Sequence, residues 1–167
     1  MIHVYYGNGK GKTTAAIGLC ARAAGCGFEA VFARFLKSWD CGEVHSLKKL
    51  GVLVVDARPE GASFVPDLSE QQFAATSDNC REAFETAASR DKENGVIVLD
   101  EVLDAVSAGL LDKQRVLAFL GKAKAEVVIT GHTQIPEIFE LADYLTHVVS
   151  ERHPYEKGIL ARRGIEF

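Results

Sequence analysis

Residues 7–14 read Gly7-Asn8-Gly9-Lys10-Gly11-Lys12-Thr13-Thr14, directly after a short β-branched run (2–6) and directly before an Ala-rich segment of helical period. A glycine-rich strand-to-helix junction that ends in Gly-Lys-Thr is the setting a phosphate-binding loop requires, and it commits the chain to a strand before the loop and a helix after it. The glycines let backbone N–H groups turn inward around a phosphate, and the helix N-terminus adds partial positive charge. Lys12 supplies a full charge, and the Thr13 hydroxyl is a magnesium ligand in this pattern. One detail departs from G-x-x-x-x-G-K-[ST]: with Gly11-Lys12-Thr13 fixed, the first glycine falls at position 6, where the chain has Tyr6, and Gly7 comes next. The alternative, a glycine-rich turn without a ligand, has to explain three glycines and Gly-Lys-Thr by packing alone.

Short apolar runs and longer helical segments alternate along the rest of the chain. Strands are expected at 2–6, 30–36, 52–55, 96–99, 127–130 and 144–149, and helices from 12 to about 24, 42–50, 69 to about 92, 112–124 and 136–142. Continuous apolar runs joined by helices are the signature of parallel strands covered on both faces, so the fold class is α/β. Pro136 fits a first helical turn, and Ser69 with Gln72 three residues on reads as a capping box. At 167 residues the chain is expected to be one domain, 1–167. No internal repeat or Gly/Pro/Ser-rich linker divides it, and the longest loop is 58–68. A 47% hydrophobic, 25% charged composition excludes disordered and low-complexity classes. The 19 basic and 23 acidic residues are scattered, which gives nucleic-acid binding no electrostatic source; no nucleic-acid partner is expected. No apolar run approaches the roughly 20 residues of a membrane helix, and Met1-Ile2-His3-Val4 is no signal peptide, so a cytoplasmic protein with no membrane partner is expected. Cys20, Cys26, Cys41 and Cys80 have no C-x-x-C spacing, and reduced thiols are expected.

Val96-Ile97-Val98-Leu99-Asp100-Glu101 is a buried-strand run ending in two acids. Ligands of open α/β sheets gather at the carboxyl ends of strands. Magnesium takes oxygen ligands, which Thr13 with Asp100 or Glu101 supplies; the residues leave open which acid touches the metal, or whether both merely end the strand. The guanine-reading Asn-Lys-x-Asp motif is absent, which favours ATP. To this point the chain reads as an ATP-binding, magnesium-dependent α/β protein whose acceptor is open, a small kinase or ATPase included.

The run from Tyr6 through Gly7-Asn8-Gly9-Lys10-Gly11-Lys12-Thr13-Thr14 to Ala15-Ala16 resembles the phosphate loop of the ATP:corrinoid adenosyltransferases, in which the first glycine is likewise replaced. The likeness continues through Phe35-Leu36-Lys37, Trp39, Leu99-Asp100-Glu101, Thr130-Gly131, Leu141-Ala142-Asp143, His153-Pro154-Tyr155-Glu156-Lys157-Gly158 and Gly164-Ile165-Glu166-Phe167. This resemblance implies a P-loop NTPase (RecA-like) fold, with a mostly parallel central sheet and helices on both faces. It implies transfer of the 5′-deoxyadenosyl group of ATP to the Co(I) of a reduced corrinoid (cobalamin, cobinamide or cobyrinic acid diamide), with triphosphate leaving, in adenosylcobalamin biosynthesis or salvage. It also implies Mg²⁺ or Mn²⁺, a homodimer, and a flavoprotein as a reductant. Lys12 and Thr13 then carry the catalytic roles. Gly7, Asn8, Gly9, Lys10, Gly11, Lys12, Thr13 and Thr14, with Arg22 and His132, hold the nucleotide; Thr13, Asp100 and Glu101 hold the metal; Trp39, Phe64, His153 and Tyr155 face the corrinoid. Because attack falls on a ribose carbon, ATP is expected to lie in the loop with reversed polarity.

Several positions depart from the family pattern. The aromatic-rich loop that holds the corrinoid reads Gly61-Ala62-Ser63-Phe64, with Phe64 its one aromatic, and the Arg usual after Thr-Gly is His132. Arg162-Arg163 replaces a less charged stretch. Longer members of the family carry a segment before the first strand that covers the active site, and here a partner subunit is the expected source of that cover. Trp39 has core packing as its plain alternative, and His153-Pro154-Tyr155 a rigid turn. The lost aromatics and His132 keep open a non-catalytic ATP- and corrinoid-binding module.

Overall fold

The computed structural model describes residues 1–37, 41–57 and 68–166. The elements run β1 (Ile2–Tyr6), α1 (Lys12–Gly25), β2 (Glu29–Arg34), α2 (Gly42–Lys49), β3 (Leu53–Asp56), α3 (Glu70–Ala88), β4 (Gly95–Asp100), α4 (Val102–Ser107), α5 (Lys113–Leu120), β5 (Glu126–Gly131), α6 (Pro136–Phe139) and β6 (Tyr144–His147), followed by a 3-10 turn at Pro154–Lys157. Among the described residues the strands form one six-stranded sheet in the order β3-β2-β4-β5-β1-β6. Every pairing is parallel. Parallel neighbours need a crossover, and each connection here carries a helix, as the α/β expectation required.

The central strands are apolar throughout because side chains alternate between two cores. Ala30, Phe32, Val96, Val98 and Val128 pack with Ala16, Cys20 and Ala23 of α1 and Leu47 of α2. Val31, Ala33, Ile97, Leu99, Val127 and Ile129 pack on the other face with Phe84 of α3, Leu103 of α4, Phe119 of α5 and Ile138 of α6. Small residues let α1 lie close to the sheet, and burial pushes the Cys20 thiol up to about 12. The expected capping box forms: Gln72 N donates to Ser69 Oγ at 3.3 Å, and Ser69 N donates to Gln72 Oε1 at 2.9 Å.

Some boundaries differ from expectation. The helix expected to reach 92 ends at Ala88, since Asp91 turns to accept from Lys124 N and Ala125 N at 2.8 and 2.9 Å. The helices expected over 112–124 and 136–142 end at Leu120 and Phe139. The strand expected over 144–149 ends at His147, because Val148 leaves the sheet to pack behind the glycine-rich loop. Helix α4 was not expected at all. Among the described residues, no helix is long and apolar enough to cross a membrane.

All carboxyl ends share one edge, and the register levels them: Tyr6 of β1 stands opposite Gly131 of β5, and Arg34 of β2 opposite Asp100 of β4. This edge brings the loop after β1, Lys37 beyond β2, Glu101 after β4 and His132 after β5 to one place.

Candidate active site

The loop is held from behind. Gly9 N donates to Val148 O at 2.8 Å, Val148 N to Tyr6 O at 2.8 Å, and Ser150 N to Asn8 Oδ1 at 3.1 Å. A Cβ on Gly7 would stand 2.5 Å from Val148 O and 2.7 Å from His147 Cδ2; one on Gly9 would stand 2.7 Å from the carbonyl carbon of Val149. Packing therefore does account for glycine at these two positions. Gly11 differs: its φ is +119°, it caps α1, and a Cβ there would meet nothing within 4 Å, so this side is open to a ligand. Tyr6 fits where a glycine is usual because it is still the last residue of β1, its ring stacked on His147 at 4.6 Å and tilted against Phe139 at 4.6 Å.

Lys12 is buried, with its ammonium donating to Gly9 O at 3.0 Å. Burial lowers its pKa, opposed by the charges of Glu101, Asp104 and Asp100. Thr13 Oγ1 donates to Asp100 Oδ1 at 2.9 Å, and Thr130 Oγ1 donates to the same oxygen at 2.8 Å. Lys37 Nζ donates to Thr13 Oγ1 at 2.9 Å and to Asp100 Oδ2 at 2.8 Å. Asp100 is wholly buried and lies beneath the floor of the site. Glu101 is different. With φ +63° it turns out of the strand to cap α4, its N–H donates to Thr130 Oγ1 at 2.9 Å, and its carboxylate lines the cavity. The two acids left open by the sequence are thus separated by burial.

Asp104, on α4, accepts from His132 N at 2.7 Å and from Thr133 N and Oγ1 at 2.9 and 2.7 Å. Burial opposes its ionisation, yet the hydrogen bonds from His132 and Thr133 hold it far below the carboxylate range. His132 Nδ1 lies 3.2 Å from Asp104 Oδ2 and 3.6 Å from Glu101 Oε2. Hydrogen bonding to Asp104 and then Glu101 raises the His132 pKa to about 9, against burial and Lys12. A raised folded-state pKa means that the histidine's contribution is complete below the ordinary value of 6.5 and disappears as pH rises through about 9. In metal-free protein, His132→Ala is therefore expected to cost stability at pH 6 and much less at pH 10, as urea unfolding would read. With the side chain 58% exposed, the difference stays under about 1 kcal/mol; equal costs at both pH values would contradict the assignment.

Above these groups lies a cavity of about 630 Å³, of the size that takes small-molecule ligands. The loop from Asn8 to Thr14 forms its floor, with Lys37, Glu101 and His132 beside it, Glu43 and Ser46 of α2 on one wall, and His153, Ile165 and Glu166 on another. Lys10 Nζ donates to Ile165 O at 3.1 Å and lies 3.5 Å from Glu166 Oε1. Arg162, without an account from sequence, donates from its backbone N and from Nε and Nη2 to the Glu166 carboxylate and so closes the C-terminal turn.

The structure thus gathers Asn8, Gly9, Lys10, Gly11, Lys12, Thr13, Thr14, Glu101, His132 and His153 at one cavity, with Gly7 and Asp100 behind its wall. Arg22 is not brought there. It is ten residues beyond Lys12 on α1, roughly 15 Å along the helix axis, and exposed. Tyr155 is 69% exposed and off the cavity wall. Trp39 and Phe64 lie outside the described residues. Sequence reasoning did not assign Lys37, Glu43 or Ser46 to the site. For Lys37 the signal existed: a lysine just past the carboxyl end of a parallel strand, on the edge that carries the phosphate loop.

The model of the family described as ATP:corrinoid adenosyltransferase BtuR/CobO/CobP matches residues 1–167. The chain is 32% identical over 169 residues to the corrinoid adenosyltransferase of Pseudomonas aeruginosa, an alignment covering 98% of this chain and 82% of that protein. It is 31% identical over 172 residues to the corrinoid adenosyltransferase of Escherichia coli K12, covering 100% of this chain and 85% of that one. Identity to corrinoid adenosyltransferase CobA of Salmonella typhimurium is also 31%, with the same coverage. With a phosphate-loop cavity at the carboxyl edge of a parallel sheet, and a match that runs from its first residue to its last, the chain belongs to the ATP:corrinoid adenosyltransferase family.

Proposed function

We propose that the chain transfers the 5′-deoxyadenosyl group of ATP to the Co(I) of a reduced corrinoid. The observation that carries this reading is the full-length family match over a cavity floored by Lys12, Thr13 and the glycine-rich loop. Co(I) of the substrate attacks the ribose 5′ carbon, the carbon–oxygen bond breaks, and triphosphate leaves with the electron pair; no phosphoryl group moves. The substrate itself is the nucleophile, so the protein's part is alignment and charge. Lys12 and the loop N–H groups bind the triphosphate, which lies in the loop with reversed polarity, and stabilise the charge it gains on departure. Asp100 orients the Thr13 hydroxyl through their 2.9 Å hydrogen bond.

The Thr13 hydroxyl and the cavity-facing Glu101 carboxylate are hard oxygen donors that fit Mg²⁺ or Mn²⁺. Such an ion, when bound, offsets negative charge on the triphosphate. Because Asp100 is buried, Glu101 is the acid we assign to the metal. Glu101→Gln is expected to raise the Mg²⁺ concentration for half-maximal turnover about tenfold or more; an unchanged requirement would return the role to Asp100. By family resemblance His153, Trp39, Phe64 and Tyr155 belong to the corrinoid side. A homodimer, a flavoprotein reductant and a cytoplasmic setting complete the reading. Exposed Tyr144 and Leu145 on the edge strand β6 are suited to a subunit contact.

Chromatography of the phosphate products after anaerobic incubation with Mg-ATP and reduced cobalamin tests this reading. Triphosphate stoichiometric with alkylated corrinoid is expected. ADP or orthophosphate with the corrinoid unchanged would make the chain a kinase or ATPase, and bound ligands without product would make it a binding module.

A further inference from the structure

Lys37 holds an oxygen that a divalent cation would contest, the hydroxyl of Thr13. Its ammonium lies 2.9 Å from Thr13 Oγ1 and 2.8 Å from Asp100 Oδ2, while the side chain, 19% exposed, also lines the cavity above the loop. Thr13 Oγ1 spends its proton on Asp100 Oδ1 and accepts from Lys37. An ammonium and a divalent cation on that one oxygen would stand within about 4 Å of each other and repel. Asp100 does not depend on Lys37 alone for hydrogen bonds, since Thr13 and Thr130 both donate to its other oxygen. Lysine is also suited to relocation. It is a compact charge with three rotating donors on a flexible stem.

We propose that Lys37 is a relocating cation of this site: it neutralises Asp100 and holds Thr13 in the nucleotide-free protein, then yields the Thr13 oxygen to the divalent ion and carries its ammonium to the triphosphate. The inference rests on the reading that the triphosphate of ATP lies in this cavity. Its consequence is a second lysine, besides Lys12, holding the leaving group.

The probe is inorganic triphosphate, titrated calorimetrically at saturating Mg²⁺ into wild type, Lys37→Met and Lys37→Arg. Lys37→Met is expected to bind at least about tenfold more weakly, and Lys37→Arg to fall within about threefold of wild type. The double variant Lys37→Met with Asp100→Asn removes the buried carboxylate that the single variant leaves without its counter-charge. It is expected to stay weak; recovery of wild-type affinity would reduce Lys37 to a structural neutraliser of Asp100 and overturn the proposal. A crystal structure of wild type with Mg²⁺ and triphosphate gives the same test without substitution: Lys37 Nζ is expected on a phosphate oxygen, and finding it still on Thr13 and Asp100 would overturn the proposal. Affinity of Lys37→Met within twofold of wild type, while Lys12→Ala abolishes binding, would sink the Lys37 role and leave the active-site reading standing. Failure of wild type to bind triphosphate or ATP would overturn both.

Discussion

Replacing Lys12 with alanine is expected to lower turnover by about three orders of magnitude, the scale of losing one preorganised charge donor to a leaving group, while the fold persists. The reason the fold persists is specific to the resting site. Lys12 is buried with its ammonium on a neutral acceptor, Gly9 O, and burial lowers its pKa. Removing the side chain gives up one hydrogen bond and also the cost of keeping a charge out of water, two terms of opposite sign. Thermal unfolding and ATP binding separate the effects: a melting temperature near wild type with ATP binding lost is the expected pair. A variant that unfolds, or one that still binds ATP at wild-type affinity, would contradict the role given to Lys12.

Gly7→Ala is expected to cost about 3 kcal/mol of stability and most of the activity. Two penalties coincide at this position: φ is +112°, and the new Cβ would stand 2.5 Å from Val148 O. That oxygen has no freedom to retreat. It accepts from Gly9 N, and the N–H of the same residue donates to Tyr6 O, so Val148 is tied to the loop on both sides. Gly11→Ala is the matched control, with φ +119° but open space around the Cβ; it bears the backbone strain without the collision. Urea unfolding should therefore rank Gly7→Ala well below Gly11→Ala in stability. Equal losses would show that strain alone sets the cost and that the segment after β6 does not brace the loop.

That bracing was hidden from the sequence because it joins residues some 140 positions apart, Asn8 and Ser150 among them. The sheet was legible for the opposite reason: strands covered on both faces must be apolar at every position, and 96–99 or 127–130 can be recognised one run at a time. The loop was legible because its chemistry is local. Helix α4 was not, since six residues beginning with Val102-Leu103 look like a continuation of the apolar strand until the positive φ of Glu101 turns the chain. The same turn decides between the two acids: Asp100 stays in the sheet and is buried, and Glu101 swings to the cavity. Periodicity cannot supply that distinction for adjacent residues. Arg22 lies off the cavity wall because ten residues of α1 separate it from Lys12. The edge on which Lys37 stands was legible from its place just past β2, whereas its partners Thr13 and Asp100 emerge only in the fold.

The central claim is that the bond broken lies between the ribose 5′ carbon and the triphosphate. ATP enriched with ¹³C at the ribose 5′ carbon, incubated anaerobically with the protein, Mg²⁺ and chemically reduced cobalamin, follows that carbon directly by NMR. The account predicts that the label moves to a light-sensitive carbon–cobalt bond, one equivalent for each triphosphate released. Label retained in ADP or AMP, with no carbon–cobalt resonance, would contradict it.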